Sequence, residues 1–306
     1  MREKLLLVGN GMAGVRALEE LLDLAPDRYD IAVFGDEPYG NYNRILLSPV
    51  LAAEKQFDDI ILNNQAWYRD NHICLHAGVK VERIDRSKRM IECADGSHHA
   101  YDRLLLATGS KPFILPIPGN DKQGVFTFRD IADVQAMLSA AKTCKHAVVI
   151  GGGLLGLEAA HGLQKQGMTV TVVHLLDQLM EKQLDKAAAG LLQKSLQSKG
   201  LQFLMNHQAE AILGEGRVNA VRFTNGHEIP ADLVVFAVGI KPNIELAEKS
   251  GIYTEQGIVV NDTMQTYDPR IYALGECAQH RKQTYGLVAP LFEQAKVCAN
   301  QLAQLG

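Results

Sequence analysis

Two glycine clusters in the sequence have the spacing that phosphate recognition asks of a backbone: Gly9-x-Gly11-x-x-Gly14 and Gly151-x-Gly153-x-x-Gly156. In such a turn the first glycine permits a tight bend and the second lets the main chain approach a pyrophosphate. The third lets a helix pack closely on a strand. The amides and dipole of the helix that follows, opened by Met12 and Ala13 in one case and by Leu154 and Leu155 in the other, favour two negative phosphates. A dinucleotide also needs an acid roughly 20 residues further on, at the end of the second strand, to accept hydrogen bonds from ribose hydroxyls. Asp36 and Glu37 fall there after the first cluster, and Asp36 is the preferred candidate. After the second cluster the strand TVTVV ends in His174 instead. A neutral histidine can hydrogen-bond a ribose hydroxyl and a protonated one can tolerate a 2′-phosphate. The second cluster therefore predicts a nicotinamide dinucleotide and leaves NADH and NADPH both open. Glu158, placed in the first turn of the second helix, would at least interact well with the helix dipole.

These turns need strands and helices to hold them, and the chain supplies the same set twice. KLLLV (4–8), a glycine turn, an amphipathic helix from about Met12 to Leu24 and DIAVF (30–34) make one strand–turn–helix–strand unit. HAVVI (146–150), a glycine turn, a helix from about Leu154 to Gln166 and TVTVV (169–173) make the other. Buried, β-branched strands joined through helices by short loops predict βαβ units of a parallel sheet. Hairpin-like stretches lie between them, among them VKVERID and RMIECADGSHHAYDRLLLATG, with a turn at Ala94-Asp95-Gly96. The aperiodic SKPFILPIPGN (110–120) and GIKPN (239–243) read as crossings between domains. The expected fold class is α/β, with two Rossmann-like, three-layer dinucleotide-binding domains, the second inserted in the first. Residues 1–115 and 243–306 form the discontinuous first domain, and residues 116–242 the second.

Further motifs fit a known pattern. Ala107-Thr108-Gly109 follows the strand RLLL, and IYALGECA stands at 271–278. With the two glycine clusters, these resemble the pyridine-nucleotide-dependent FAD oxidoreductases over essentially the whole chain. The resemblance implies that the first domain holds FAD and the second NADH or NADPH. It implies that Ala107, Thr108 and Gly109 lie against the FAD, that Val81 touches the adenine and that Arg44 contacts the flavin nucleotide. Gly275 and Glu276 would meet the ribitol chain, where the family usually carries Asp. Glu158 would lie near the flavin and the incoming nicotinamide, with Val288 on the FAD side and Gly239 on the nicotinamide side. Within the family, GGGLLGLEAA, LMEKQLD, LGECA and YGLVAP are most similar to the N-terminal flavin module of nitrite reductase large subunits. The ferredoxin-reductase branch often has LSK where this chain has Leu47-Ser48-Pro49.

What the sequence lacks narrows the chemistry. No CxxC is present, so a redox-active disulfide beside the flavin is not expected, and no cysteine stands near Arg44. Cys277-x-x-His280 has no second half at metal-ligand spacing, and none of the five dispersed cysteines cluster, so no metal is expected in this chain. An odd, scattered cysteine set predicts a reducing compartment, and so the cytoplasm. A net charge of −4 without a basic stripe argues against nucleic acid. No apolar stretch reaches the ~18 residues of a membrane span.

The expected activity is electron transfer from NAD(P)H through FAD to an iron–sulfur domain or protein, as the input part of a nitrite reductase. A stand-alone ferredoxin- or rubredoxin-type reductase is the first alternative. A non-catalytic flavin-binding interaction module is the second, and failure of either nicotinamide to reduce the flavin would favour it. The family usually continues past a helix here near 290–304 into an interface domain, which these 306 residues do not contain.

Overall fold

The computed structural model describes residues 2–304. Packing divides the chain into two units, one formed by the residues up to Asn43, by Ile61–Lys111 and by the residues from Lys241 onward, the other by Arg44–Ile60 and Pro112–Ile240.

The first unit is built on a parallel sheet of five strands in the order Ile271–Ala273, Arg103–Leu106, Glu3–Val8, Tyr29–Gly35, Cys74–Ala77. Leu5, Leu7, Leu104, Leu105 and Leu106 are wholly buried. Both faces of a parallel sheet are covered, which is why these strands read as unbroken apolar runs rather than alternating ones. Helix Met12–Leu24 buries Gly14, Ala17, Leu18 and Leu21, the one-face spacing of an amphipathic helix. It packs beside the long helix Val288–Gln304. A buried hydrogen bond from the Tyr29 hydroxyl to the Leu302 carbonyl (2.9 Å) ties that last helix to the sheet. A separate antiparallel sheet, Val81–Asp85, Met90–Cys93 and His98–Ala100, belongs to the same unit.

The second unit repeats the plan. Its parallel sheet runs Val125–Thr127, Leu233–Phe236, His146–Ile150, Thr169–Val173, Gln202–Leu204. A three-stranded antiparallel sheet, Ala209–Leu213, Ala220–Phe223 and Glu228–Pro230, accompanies it.

The sequence reading kept residues 44–60 with the first domain; their packing is with the second unit. The short helix Leu47–Leu51 lies on helix Leu154–Lys165, where Gly162 makes room for it: a Cβ there would come within 2.6 Å of Leu51 Cγ. The Gln166 side chain donates to the Leu51 carbonyl at 2.7 Å. No local pattern in 44–60 announces this docking, because it is made by partners more than a hundred residues away.

Candidate functional site

Each glycine turn is dictated by the backbone it must pass. In the first unit Gly9 has φ 108°, and a side chain there would overlap the Ala107 carbonyl. A Cβ on Gly14 would lie 2.9 Å from Ala107 Cβ and 3.0 Å from Leu7 Cδ1, so only glycine lets the helix close on the strands. In the second unit Gly151 (φ 125°) stands against the Ala237 carbonyl and Gly156 against the Gly151 carbonyl in the same manner. Ala237-Val238-Gly239 thus backs the second turn as Ala107-Thr108-Gly109 backs the first. The sequence reading named only Gly239 of this trio; its likeness to the first turn was the available signal.

The middle glycines differ. Gly11 and Gly153 are the N-cap residues of their helices, in extended conformation that any residue adopts (φ −86° and −84°). A Cβ on either meets no protein atom within 4 Å. Nothing in the protein requires glycine at these two places, whereas a group that must approach the main chain does. Neither helix has a side-chain cap or an acid in its first turn, so the first amides and the positive end of the dipole are left for an anion. The residues present therefore fit a pyrophosphate at both turns. Glu158, expected in the first turn, is the fifth residue of a helix that begins at Leu154 and so lies in the second, where the dipole acts weakly.

Around the first turn, Asp36 is exposed just past the strand. Glu37 accepts a hydrogen bond from the Tyr42 hydroxyl at 2.7 Å. Thr108 Oγ1 donates to the Asn243 carbonyl (2.7 Å), and the Asn243 amide donates to the Gly109 carbonyl (2.9 Å), so Asn243 fixes the Ala107–Gly109 turn. A Cβ on Gly275 (φ 85°) would lie 3.2 Å from Ala13 Cβ, which puts Gly275 beside the same helix start. The Gly275 amide donates to the buried Gln294 side chain at 2.9 Å, and Ser110 Oγ donates to Glu276 at 3.0 Å. Val81 is buried at the start of its strand, and Val288 opens the last helix. Asn243 and Gln294 carry no motif and were not legible beforehand. Cys277 is buried, its thiol directed at the Leu274 and Leu106 carbonyls, and burial pushes it up from the ordinary thiol range. Among the described residues no cluster of His, Cys, Asp and Glu could hold a metal ion.

In the second unit the helix Leu154–Lys165 carries Leu154 and Leu155, both exposed, and Glu158. Ser48 Oγ donates to Glu158 Oε2 at 2.6 Å. Burial pushes the Glu158 carboxyl up from the usual range, and the Ser48 hydroxyl pulls it partly back. Arg44 donates to the Arg129 carbonyl at 2.9 Å.

His174 occupies a different place from the one expected of it. The sheet registers pair Val8 with Phe34 and Ile150 with Val173, so His174 corresponds to Gly35, and the counterpart of Asp36 is Leu175. The space between turn and strand is filled from opposite sides in the two units. A Cβ on Gly35 would lie 2.8 Å from Asn10 Cβ, and one on Gly152 would lie 2.8 Å from His174 Cγ. The imidazole is turned under the glycine loop, where Nδ1 accepts the Gly152 amide at 3.1 Å.

Two parallel sheets, each with a glycine turn opening an uncapped helix, define a dinucleotide-binding protein of the α/β class. The chain belongs to the pyridine nucleotide-disulphide oxidoreductase family, whose profile matches residues 3–301. It is 54% identical over 98% of its length to "Nitrite reductase [NAD(P)H]" of Bacillus subtilis (strain 168), of which it covers 37%. It is 50% identical, over 98% of its length, to the "Assimilatory nitrate reductase electron transfer subunit" of the same organism, covering 39% of that protein. The chain thus spans well under half the length of these relatives. Among solved structures, the ferredoxin reductase for the CYP199A2 system from Rhodopseudomonas palustris superposes with a TM-score of 0.92 at 28% identity, covering 99% of this chain and 76% of that one.

Proposed function

We propose that the chain is the electron-input module of a nitrite reductase, taking a hydride from NAD(P)H onto FAD and passing electrons on to an iron–sulfur acceptor. The observation that carries this reading is the pair of glycines, Gly11 and Gly153, whose missing side chains leave open space at uncapped helix starts. FAD belongs in the first unit, at Gly9, Gly11, Met12, Ala13 and Gly14, with Asp36 or Glu37 for the ribose and Val81 for the adenine. Ala107, Thr108, Gly109, Gly275, Glu276 and Val288 complete that set. The nicotinamide donor belongs in the second unit, at Gly151, Gly153, Leu154, Leu155, Gly156 and Gly239. Arg44 contacts the flavin nucleotide, and Glu158 serves the reacting end.

The flavin, when bound, supplies the chemistry that accepts a hydride and releases electrons singly. The chain's own residues orient the two dinucleotides, so catalysis here is positioning. The uncapped amides neutralise pyrophosphate charge, and Glu158, half-buried and hydrogen-bonded by Ser48, fixes a polar group on the helix behind the nicotinamide turn. The similarity to a nitrite reductase and to a nitrate reductase electron transfer subunit supports an acceptor on a longer polypeptide or a partner. Free cysteines at Cys74, Cys93, Cys144, Cys277 and Cys298 suit a cytoplasmic setting. Among the described residues no helix is long and apolar enough to cross a membrane.

Anaerobic absorbance titration of FAD-loaded protein with NADH and with NADPH tests the reading. Bleaching of the flavin band by at least one nucleotide, and its return on adding an oxidised ferredoxin, is the expected result. Flavin that binds and is reduced by neither would leave an interaction module in place of a reductase.

A further inference from the structure

The second unit lacks an acid where its first-unit counterpart has Asp36; Leu175 stands there, 58% exposed, followed by Leu176 at 44%. A ribose at this edge would meet two leucines. An acid nevertheless stands at the turn, seven residues after His174. His174 Nε2 is buried without a hydrogen-bond partner among the described residues, and it lies 3.4 Å from Glu181 Oε2. With Nδ1 accepting the Gly152 amide, the proton of the neutral ring sits on Nε2, close to that carboxylate but without a hydrogen bond to it.

The loop is hung on the glycine turn by its backbone too. The Met180 amide donates to the Gly152 carbonyl at 3.1 Å, and the Met180 carbonyl accepts from Gln183 (2.8 Å) and Leu184 (2.9 Å). Met180 itself is left-handed, with φ 53°. A side-chain-bearing residue adopts that conformation at a cost, and Glu181 follows it with a side chain 33% exposed. Residues 174–186 carry three acids (Asp177, Glu181, Asp185) against two lysines, and Lys186 is paired with Asp177 at 3.1 Å.

We propose that Glu181, positioned by His174 and by the left-handed turn at Met180, accepts the adenosine ribose hydroxyls of the nicotinamide donor and so selects NADH against NADPH. A diol donates two hydrogen bonds to such a carboxylate, whereas a 2′-phosphate brings two negative charges against it. His174 is a positioning residue: it holds the turn and the carboxylate together and does not touch the sugar.

The inference rests on the donor site assigned above, and the test separates the two. Calorimetric titration of FAD-loaded protein with NAD+ and with NADP+ reads binding without any hydride step. Wild-type protein is expected to bind NAD+ at least about tenfold more tightly. Glu181→Gln should lower that preference by about tenfold, the span of one hydrogen bond to a charged group, and Glu181→Arg should reverse it, both at unchanged thermal midpoints. A Glu181→Gln protein with the wild-type ratio, or wild-type protein that prefers NADP+, overturns the inference and leaves the donor site standing. Wild-type protein that binds neither nucleotide removes the donor site, and this inference with it.

Discussion

Substituting alanine for the first and for the middle glycine of one turn should have opposite consequences. At Gly151 the methyl group would overlap the Ala237 carbonyl oxygen and the backbone is left-handed at φ 125°. Left-handed strain costs roughly 1–2 kcal/mol, and moving backbone to relieve an overlap costs about 1–3 more. Gly151→Ala should therefore lose on the order of 2–5 kcal/mol of folding stability. At Gly153 the methyl group meets nothing within 4 Å, and φ −84° suits alanine. A less flexible unfolded chain contributes about 0.4–1 kcal/mol of stability. The poorer N-cap removes about 0.5–1. The two offset, and the thermal midpoint of Gly153→Ala should stay within about 2 °C of wild type. Its nucleotide affinity should not stay. A methyl between amide and pyrophosphate is an overpacked contact of about 1–3 kcal/mol, or roughly five- to 150-fold in NAD+ binding. Thermal unfolding and calorimetry on the same preparations measure both. A Gly153→Ala protein that unfolds early would show that the protein itself needs this glycine. One that binds NAD+ with wild-type affinity would show that no pyrophosphate approaches it.

Glu158 gives a pH signature. Because burial holds its carboxyl above the ordinary range, the folded chain keeps that proton at pH values where the unfolded chain, near pKa 4.3, has lost it. Stability contributed there should fall as pH rises from the unfolded pKa through the folded one. Urea midpoints of Glu158→Gln should fall less steeply over that window than those of wild type, and those of Ser48→Ala more steeply; parallel curves would contradict the assignment. Gly162→Ala should destabilise by about 1–3 kcal/mol through its overlap with Leu51, despite gaining up to ~1 kcal/mol of helix propensity; a stabilised variant would show that helix Leu47–Leu51 is not seated there. Gln294→Met should cost about 1–3 kcal/mol in chemical denaturation by leaving the buried Gly275 amide without its acceptor. A neutral result would mean that another group takes it.

Much of the site was legible because sterics wrote it into local spacing. A turn that must pass a carbonyl at positive φ, open a helix and admit a phosphate leaves little choice but glycine at fixed intervals. Strands buried on both faces show as apolar runs such as LLLV and AVVI. Residues whose role depends on distant partners had no such signature. Ser48 meets Glu158 across 110 positions and Thr108 meets Asn243 across 135. The docking of residues 44–60 rests on Gly162, a glycine in mid-helix that propensity alone would disfavour. His174 stands one residue before the counterpart of Asp36, and only the pairing register fixes that count. Glu181 lay inside LMEKQLD, a stretch that carried the resemblance but gave this residue no role, since a buried imidazole and one left-handed residue bring it to the turn.

Direct hydride passage from donor to flavin is the central claim, and one measurement reaches it. FAD-loaded protein would be mixed anaerobically, in a single turnover, with saturating NADH carrying deuterium on one or the other face of C4. The account predicts decay of the flavin band in both cases, slowed for one of the two deuterated faces alone, since only one hydrogen can face the acceptor in a fixed complex. A flavin band that does not decay, or that decays at the same rate whichever face carries deuterium, would contradict it.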